Sequence, residues 1–392
     1  MAYNLTCFNA ETDFTPEGVM MYRFRAYVTP LIVIFGTTGN ILVLIVFTIM
    51  QMKSACRFNS YVIGITIAHI MELIFNAFLD DFLGRGLAWL SRCNIIVKLD
   101  IYSKFSCKFF LYIPEVSALI STNVLVLFSF DRILTVYHPL RFRGDRHLRA
   151  VHIGIISIYV IANILYLPTL INSDLVKNSK NYTVCQFVDP LKFSVQYNLY
   201  LSNIASTIIP TLVAIITTIM IIIKLHKIFK ERYRMCQQHG DRNPNELRRI
   251  AGHLAMTTMF FILNIPLIIV VLLRQHSDYS DYNSLYPQHA LKLKHLSKLF
   301  SSMKSLNSAM EFPTFFIFLP SFRLHLRHLF CGKQKPLGGN DVFNLRRMRT
   351  TISSVIGHKS HQELESKTNN HEKFKSNFTK GKKKALNQSA HI

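Results

Sequence analysis

Long apolar stretches separated by short polar segments dominate the chain. A transmembrane α-helix needs about 20 predominantly apolar residues to cross the ~30 Å hydrocarbon core of a bilayer, and each stretch is near that length or longer. The pattern therefore predicts an all-α membrane protein, built as a bundle of seven transmembrane helices. The predicted spans are approximately residues 27–50, 59–82, 107–137, 152–171, 195–225, 250–273 and 296–319.

The composition indicates that lipid is the solvent for much of the chain. Half of the 392 residues are hydrophobic, 30 are Phe and only 17% are charged, which is unusual for a soluble domain. The net charge of +23 fits either nucleic-acid binding or the basic cytoplasmic segments of a membrane protein. The basic residues gather between particular spans and in the tail, which favours the membrane protein and argues against nucleic acid as a partner.

The third predicted span has Cys107 at one end and two adjacent charges, Asp131 and Arg132, near the other. A charged side chain at the centre of a bilayer costs about 2.5–3.5 kcal/mol, so the charged pair marks a membrane face. As a helix, residues 107–137 would extend roughly 45 Å at ~1.5 Å per residue, so the helix must tilt or protrude.

These features resemble those of rhodopsin-like G-protein-coupled receptors, and especially of invertebrate neuropeptide receptors of the FMRFamide-like kind. The matching strings in and after the third span are Asp131-Arg132-Ile133 and Tyr137-His138-Pro139-Leu140. Further matches are Gly39-Asn40 in helix 1, Pro210 in helix 5, Pro266 in helix 6 and residues 307–315 in helix 7. The resemblance implies a receptor fold, an extracellular ligand and a heterotrimeric G protein as partner.

The resemblance also implies a disulfide bond between Cys107, at the top of helix 3, and Cys185 in the second outer loop. Such a bond requires an oxidising compartment. The sequence leaves open whether Cys93 pairs with Cys7 or stays free.

The predicted topology places the protein in the plasma membrane with its N-terminus outside and its C-terminus in the cytoplasm. Asn4 and Asn181 lie in glycosylation sequons on the predicted outer side. Residues 1–24 are expected to form an extracellular N-terminus, 25–330 the receptor domain with helix 8, and 331–392 a disordered basic tail. No signal peptide is evident, so the first apolar helix is expected to act as the insertion signal.

Membrane lipid is a further predicted partner. Phe322-Arg323 fits the start of a short amphipathic helix 8 on the inner leaflet, and Cys331 at its end is a candidate palmitoylation site. The basic run of residues 382–384 in the tail is expected to contact anionic lipid.

The family resemblance assigns a G-protein switch to Asp131, Arg132 and Glu246. In the family, the arginine is held at rest by its neighbouring acid and by an acid at the base of helix 6. It turns toward the G protein when helix 6 moves outward. Glu246, about twenty residues before Pro266, matches the helix 6 acid, although it also fits a solvated acid near a basic cluster.

Several positions depart from the family pattern. The sodium-binding Asp of helix 2 is replaced by His69, and Glu311 replaces an Asn of helix 7, while Ser121 and Asn307 match the remaining sodium-pocket neighbours. A buried His beside a buried acid favours a hydrogen-bonded pair over a bound cation, so we expect no sodium site there. The alternative is that the two side chains serve separate packing needs.

The trigger residues of helices 5, 6 and 7 depart as well. Thr218 and Phe315 stand where the family has two tyrosines that bridge in the active state. Asn264 stands where the family usually has a tryptophan below the ligand, and it is a candidate ligand contact.

The predicted ligand is a short, amidated peptide that contains Arg. Pro114 occupies the position of the Asp that binds biogenic amines, and Ser305 that of the retinal lysine of opsins. Lys304 is one residue off and is expected to face elsewhere. A guanidinium would pair with acids near the outer end, because desolvated guanidinium–carboxylate pairs discriminate well. The candidate acids are Glu115, Asp80 and Asp81, with Asp278 and Asp281 in the third outer loop. Glu115 has the alternative of pairing with Lys104 or Lys108.

No catalytic constellation, phosphate-binding loop or metal motif emerges, so the chain is not expected to be an enzyme or to need a cofactor. A rival prediction is a seven-span channel or transporter in which His69 and Glu311 form a proton path.

Overall fold

The computed structural model describes residues 15–138, 142, 147–177, 183–188, 197, 200–235, 244–279 and 286–331. Within these ranges, the side chains of 229–235, 244–247, 278–279 and 331 are outside the description. Contacts divide the chain into two units, Met1–Arg327 and His328–Ile392. The first unit is the helical bundle, and the described part of the second is the last turn of the final helix.

Among the described residues, six helices are long and apolar enough to cross a membrane, and they match the first six predicted spans. We label the helices α1 to α8 in chain order. The bounds are α1 Pro16–Lys53, α2 Arg57–Leu90, α3 Lys104–Tyr137, α4 Leu148–Asn172, α5 Leu201–Ile208 with Ile209–Met235, α6 Pro244–Tyr279, α7 Pro287–Met303 with Ser305–Ala309 and Glu311–Phe318, and α8 Pro320–Cys331.

The seventh predicted span is helical but interrupted. Breaks at Lys304 and Met310 divide α7 into three consecutive segments. None of these segments is long enough to cross a bilayer alone. Such breaks are tolerated inside a membrane bundle only where neighbouring groups satisfy the freed backbone atoms. The fold is therefore the predicted seven-helix bundle, with an irregular seventh member.

The first two helices extend further than the hydrophobic pattern predicted. α1 begins at Pro16, within the segment expected to be an extracellular N-terminus, because Thr15 caps it: the Thr15 hydroxyl accepts a hydrogen bond of 3.2 Å from the Gly18 amide. α2 continues to Leu90 and carries the buried Trp89, whose ring stacks on Tyr22 at 5.3 Å. Both helices therefore protrude beyond their predicted spans.

The bundle is apolar outside and partly polar inside. The outward face of α4 exposes Ile153, Ile156 and Ile164, each more than 60% accessible, as expected for a surface solvated by lipid. The interior contains an aromatic cluster together with many buried polar side chains. The largest fully buried members of the cluster are Tyr166, Phe47, Phe58, Phe128, Phe260, Phe315 and Phe322.

A two-stranded hairpin lies at the start of α3. Strands β1 (Ser173–Lys177) and β2 (Thr183–Phe187) pair antiparallel, with Leu175 opposite Cys185. Cys185 forms a disulfide bond with the fully buried Cys107, which confirms the predicted pairing. Cys93 is also disulfide-bonded, and its partner lies outside the described residues.

A surface ion pair adds a second link between the hairpin and α3. The Lys104 ammonium lies 3.2 Å from the Asp174 carboxylate. The hydrogen bond from the Leu175 amide, together with the Lys104 charge, holds the pKa of Asp174 below its usual value. The carboxylate therefore stays ionised at neutral pH, and the pair persists there.

Helices α1 and α7 approach closely at two glycines. A Cβ atom added at Gly36 would lie 2.7 Å from the Ala309 Cβ, and one added at Gly39 would lie 2.8 Å from the Phe312 Cβ. Both distances are shorter than van der Waals contact permits, so this helix pair requires glycine on α1.

We expect Gly36→Ala to lower the free energy of unfolding by about 1–3 kcal/mol, because the methyl group overpacks a rigid contact. The measurement is the thermal unfolding midpoint of the purified protein in detergent. Gly252→Ala is the matched control, since its Cβ would meet Phe318 at 3.8 Å, an ordinary contact. Equal midpoints for Gly36→Ala and the unmodified protein would contradict the close approach.

Candidate functional site

The bundle has two chemically distinct ends. We call the end that carries the Cys107–Cys185 bond the disulfide end, and the end that carries Asp131 and Arg132 the arginine end. α3 runs from one to the other, so both sets of candidate residues belong to the same helix.

A cavity of about 370 Å³ opens toward the disulfide end, between α2, α3, α5, α6 and α7. Glu115 of α3 lies in its wall, half-buried, and the buried Tyr166 hydroxyl donates to its carboxylate at 3.3 Å. Tyr166 also lies 3.4 Å from the Ser206 hydroxyl of α5. Lys104 pairs with Asp174 instead of Glu115. The Glu115 carboxylate is thus oriented by its neighbours and faces the cavity.

The predicted acids Asp80 and Asp81 lie beside the cavity and do not line it. Asp81 is buried and forms an ion pair of 3.0 Å with Arg25 of α1, whose Nε also donates to Ser302 of α7 at 2.9 Å. Asp80 pairs with Arg85 at 3.1 Å. The Asp81 pair therefore joins α1, α2 and α7 and supports the frame of the cavity.

Asn264 also lies outside the cavity lining. It is fully buried in α6, two residues before Pro266. Its side-chain amide donates to the Phe260 carbonyl at 2.7 Å, one turn earlier in the same helix. The Asn264 side-chain amide is therefore used within α6, at a carbonyl one turn before it.

The wall formed by α6 and α7 is basic. Arg274 of α6 and Lys298 and Lys304 of α7 line the cavity. The expectation that Lys304 faces elsewhere was wrong, while Ser305 is fully buried. The break in α7 at Lys304 interrupts the helical phase, and sequence spacing alone does not show such a break.

A polar cluster occupies the middle of the bundle. His69 Nδ1 lies 3.0 Å from Glu311 Oε1, and the Thr66 hydroxyl donates to the other Glu311 oxygen at 2.8 Å. Both His69 and Glu311 are buried. Asn307 lines the same small gap, which holds only about 10 Å³, whereas Ser121 donates to the Ala118 carbonyl of its own helix. His69, Glu311 and Asn307 are therefore brought together, and Ser121 is not.

A second buried acid, Glu72, was missed by the sequence reasoning. It lies at the floor of the cavity and accepts a hydrogen bond of 2.9 Å from the Ser308 hydroxyl. The Asn40 side chain donates to the Ser308 carbonyl at 2.8 Å, next to the second break in α7. An acid inside an apolar span was the available signal, because such a residue is by default a functional candidate.

At the arginine end, Asp131 binds two guanidinium groups. Arg57 Nη1 lies 2.6 Å from one carboxylate oxygen, and Arg132 Nη2 lies 2.5 Å from the other. Arg57 also donates to the Phe142 carbonyl at 2.6 Å. Arg132 is buried, and its guanidinium carbon lies 5.2 Å from the Phe128 ring centroid, within cation–π range. The arginine is thus held inside the bundle.

Helix α6 is tied to its neighbours near this end by polar contacts of its own. His253 Nε2 lies 3.2 Å from the Ser129 hydroxyl of α3, and the Thr218 hydroxyl of α5 donates to Thr257 at 3.1 Å. An Arg249 guanidinium nitrogen lies 3.4 Å from the Cys56 sulfur.

Six predicted site residues cannot be placed. Asn4, Asn181 and Asp281 lie outside the described residues, and the side chains of Glu246, Asp278 and Cys331 lie outside the described side chains. Their roles as glycosylation, ligand-binding, switch and palmitoylation sites stay predictions.

We expect sodium to leave the stability of the protein unchanged beyond its effect as a salt, because His69 and Thr66 already contact the Glu311 carboxylate in a gap of about 10 Å³. The measurement compares the unfolding midpoint in NaCl and in choline chloride at equal ionic strength. A sodium-specific rise of the midpoint that disappears in both His69→Ala and Glu311→Gln would contradict this prediction.

Comparisons with known proteins bear on this arrangement. Residues 39–310 match the family model of the 7 transmembrane receptor (rhodopsin family), which covers more than half of the chain. The solved structure of squid rhodopsin superposes with a TM-score of 0.59 at 16% identity, covering 84% of each chain, and shows the shared fold.

Similar sequences carry receptor names. The Neuropeptide CCHamide-1 receptor of Drosophila melanogaster is 26% identical over 369 residues, which cover 88% of this chain and 69% of that protein. Somatostatin receptor type 5 of Rattus norvegicus is 25% identical over 154 residues, covering 38% and 39%. The Type-1 angiotensin II receptor of Meleagris gallopavo is 27% identical over 250 residues, covering 63% and 64%.

The helical bundle agrees with the fold and the family that these comparisons show. The chain belongs to the rhodopsin family of seven-transmembrane receptors.

Proposed function

We propose that this receptor binds an extracellular peptide in the cavity at the disulfide end and activates a heterotrimeric G protein at the arginine end. The observation that carries the proposal is the arrangement of α3. Its residue Glu115 faces the cavity, and its residue Arg132 is held at the opposite end, about 25 Å away along the helix.

A peptide is the ligand class that the cavity supports best. It presents charged side chains on four helices: Glu72 on α2, Glu115 on α3, Arg274 on α6 and Lys304 on α7. Pro114, where an amine receptor needs an acid, also lines the cavity. Three similar receptors are named for neuropeptide CCHamide-1, somatostatin and angiotensin II. Together these observations favour a peptide over an amine.

The receptor is a multi-pass protein of the plasma membrane, as its family and its apolar helices imply. We propose that the disulfide end faces the outside, since disulfides form in oxidising compartments. The N-terminus and the sequons at Asn4 and Asn181 would then be extracellular, while residues 331–392 would be a cytoplasmic tail that contacts lipid.

The proposed mechanism is an outward movement of α6. In the resting arrangement, Asp131 holds Arg132 and the polar contacts of His253 and Thr257 hold α6 against α3 and α5. Movement of α6 would expose Arg132 to the G protein. Thr218 and Phe315 lack the tyrosine hydroxyls that bridge in other members, so the active arrangement requires other contacts.

The rival hypothesis of a channel or transporter receives no support. The family to which the chain belongs consists of receptors, which are not enzymes. His69 and Glu311, the residues of the supposed proton path, contact each other beside a gap of about 10 Å³.

We expect Asp131→Asn and Glu246→Ala each to raise ligand-free signalling, because each removes an acid assigned to hold Arg132. A loss of about 1 kcal/mol of resting-state stabilisation raises the active population about fivefold. The measurement is GDP–GTP exchange on added G protein, at equal concentrations of purified receptor. Asp80→Asn, at the disulfide end, is the control, and unchanged basal exchange in both test variants would refute the assignment.

We expect Glu115→Gln to raise the half-maximal concentration of Arg-containing amidated peptides by on the order of 10- to 100-fold, because a charged hydrogen bond is lost. Concentration–response curves for G-protein activation measure the shift. The matched control is again Asp80→Asn, whose carboxylate pairs with Arg85 beside the cavity. Equal potency on Glu115→Gln and the unmodified receptor would remove Glu115 from the site.

A further inference from the structure

The charges of the cavity are divided between two walls. Glu115 of α3 lies near α5, through the contacts of Tyr166 with Glu115 and Ser206. Arg274 belongs to α6 and Lys304 to α7, two helices that pack against each other. The cavity therefore presents an acidic and a basic surface to whatever occupies it.

Arg274 and Lys304 differ from the arginines buried elsewhere in the bundle. Arg25 pairs with Asp81, and Arg57 and Arg132 pair with Asp131. Arg274 and Lys304, by contrast, form no ion pair with any residue in the described part of the chain, although both line the cavity.

Glu72 is not an ion-pair partner for this basic wall. Glu72 is a buried residue at the cavity floor, and its carboxylate accepts a hydrogen bond from the Ser308 hydroxyl. Lys304 lies in the same region but beyond the 4.0 Å limit of an ion pair with it. The ammonium of Lys304 is only partly buried and remains available to a ligand.

Arg274 is exposed and Lys304 is half-buried, so both cations are accessible to water or to an anion in the cavity. Ionisable residues that line a cavity of a membrane bundle mark ligand pathways. A carboxylate that replaces water between a guanidinium and an ammonium forms charge-assisted hydrogen bonds in a partly desolvated space, where such bonds are strongest.

We propose that the peptide ligand carries a carboxylate that binds between Arg274 of α6 and Lys304 of α7, while its basic group binds Glu115. This inference rests on the proposed function and adds to it the second recognition element of the ligand. The carboxylate belongs either to an Asp or Glu side chain or to a free C-terminus. Because the two cations belong to different helices, the bound carboxylate also links α6 to α7 above the switch.

The experiment uses four sets of synthetic octapeptides of randomised sequence, each with one Arg. The sets combine an amidated or a free C-terminus with the presence or absence of one Asp. Each set is tested for nucleotide exchange on G protein by the full-length receptor in nanodiscs. The variants are Arg274→Gln and Lys304→Gln, with Lys294→Gln as the matched control, since Lys294 is an exposed residue of α7, in its first segment, and lies outside the cavity.

We expect the three sets with a carboxylate to act at concentrations on the order of 10- to 100-fold below the amidated set without Asp. The advantage should disappear in Arg274→Gln and Lys304→Gln and persist in Lys294→Gln. Comparison of the two sets with a single carboxylate identifies its source as side chain or C-terminus. Unfolding midpoints verify that each variant is folded.

Two results would overturn the inference alone. The first is that, on the unmodified receptor, the amidated, Asp-free set is as potent as the three sets with a carboxylate. The second is that the carboxylate-bearing sets keep their higher potency on both Arg274→Gln and Lys304→Gln. In either case the receptor still responds to peptides. If no set promotes exchange, the peptide ligand of the proposed function fails, and the inference fails with it.

Discussion

The hydrogen bond from the Asn40 side chain to the Ser308 carbonyl holds together the least regular part of the bundle. In lipid, a helix cannot break unless another group satisfies the freed backbone atoms, because no water is present to do so. Asn40 does this for α7 from α1, and beside it Glu72 of α2 accepts a hydrogen bond from the Ser308 side-chain hydroxyl. The close approach at Gly36 and Gly39 brings α1 near enough for the contact.

The consequences of the broken α7 reach both functional regions. Lys304, at the first interruption, lines the cavity, and Glu311, directly after the second, has its carboxylate against His69 and Thr66. The irregular part of α7 therefore contributes residues to both regions.

Much of the fold was predictable because a helix that crosses lipid needs about 20 predominantly apolar residues, and such runs are visible in the sequence. Six spans and the helical nature of the seventh follow from this rule. The helix ends do not follow from this rule. The apolar run that predicts α1 begins only after Arg25, a buried charge whose partner Asp81 is far away in sequence. Thr15-Pro16 was the local signal for the true start.

The site was less predictable than the fold. The proximity of His69 and Glu311 followed from family positions, and the structure places them together. The pairing of Arg57 with Asp131 did not follow, because it depends on how α2 packs against α3, and sequence spacing contains no such information. The basic wall was not predicted, because sequence spacing does not show that Lys304 lines the cavity. Asp81 does not line it and pairs with Arg25, and no local pattern indicates that these two residues meet.

The three polar contacts that tie α6 near the arginine end join mostly neutral groups: Ser129 with His253, Thr218 with Thr257, and Cys56 with Arg249. Each such bond contributes roughly 0.5–1.5 kcal/mol net, so their loss in the proposed outward movement of α6 would cost about 1.5–4.5 kcal/mol. A ligand shifts a two-state equilibrium only by its difference in affinity for the two states. This free-energy difference is small. One or two charged contacts between ligand and receptor, if stronger in the displaced arrangement of α6, would therefore be enough to change which state predominates.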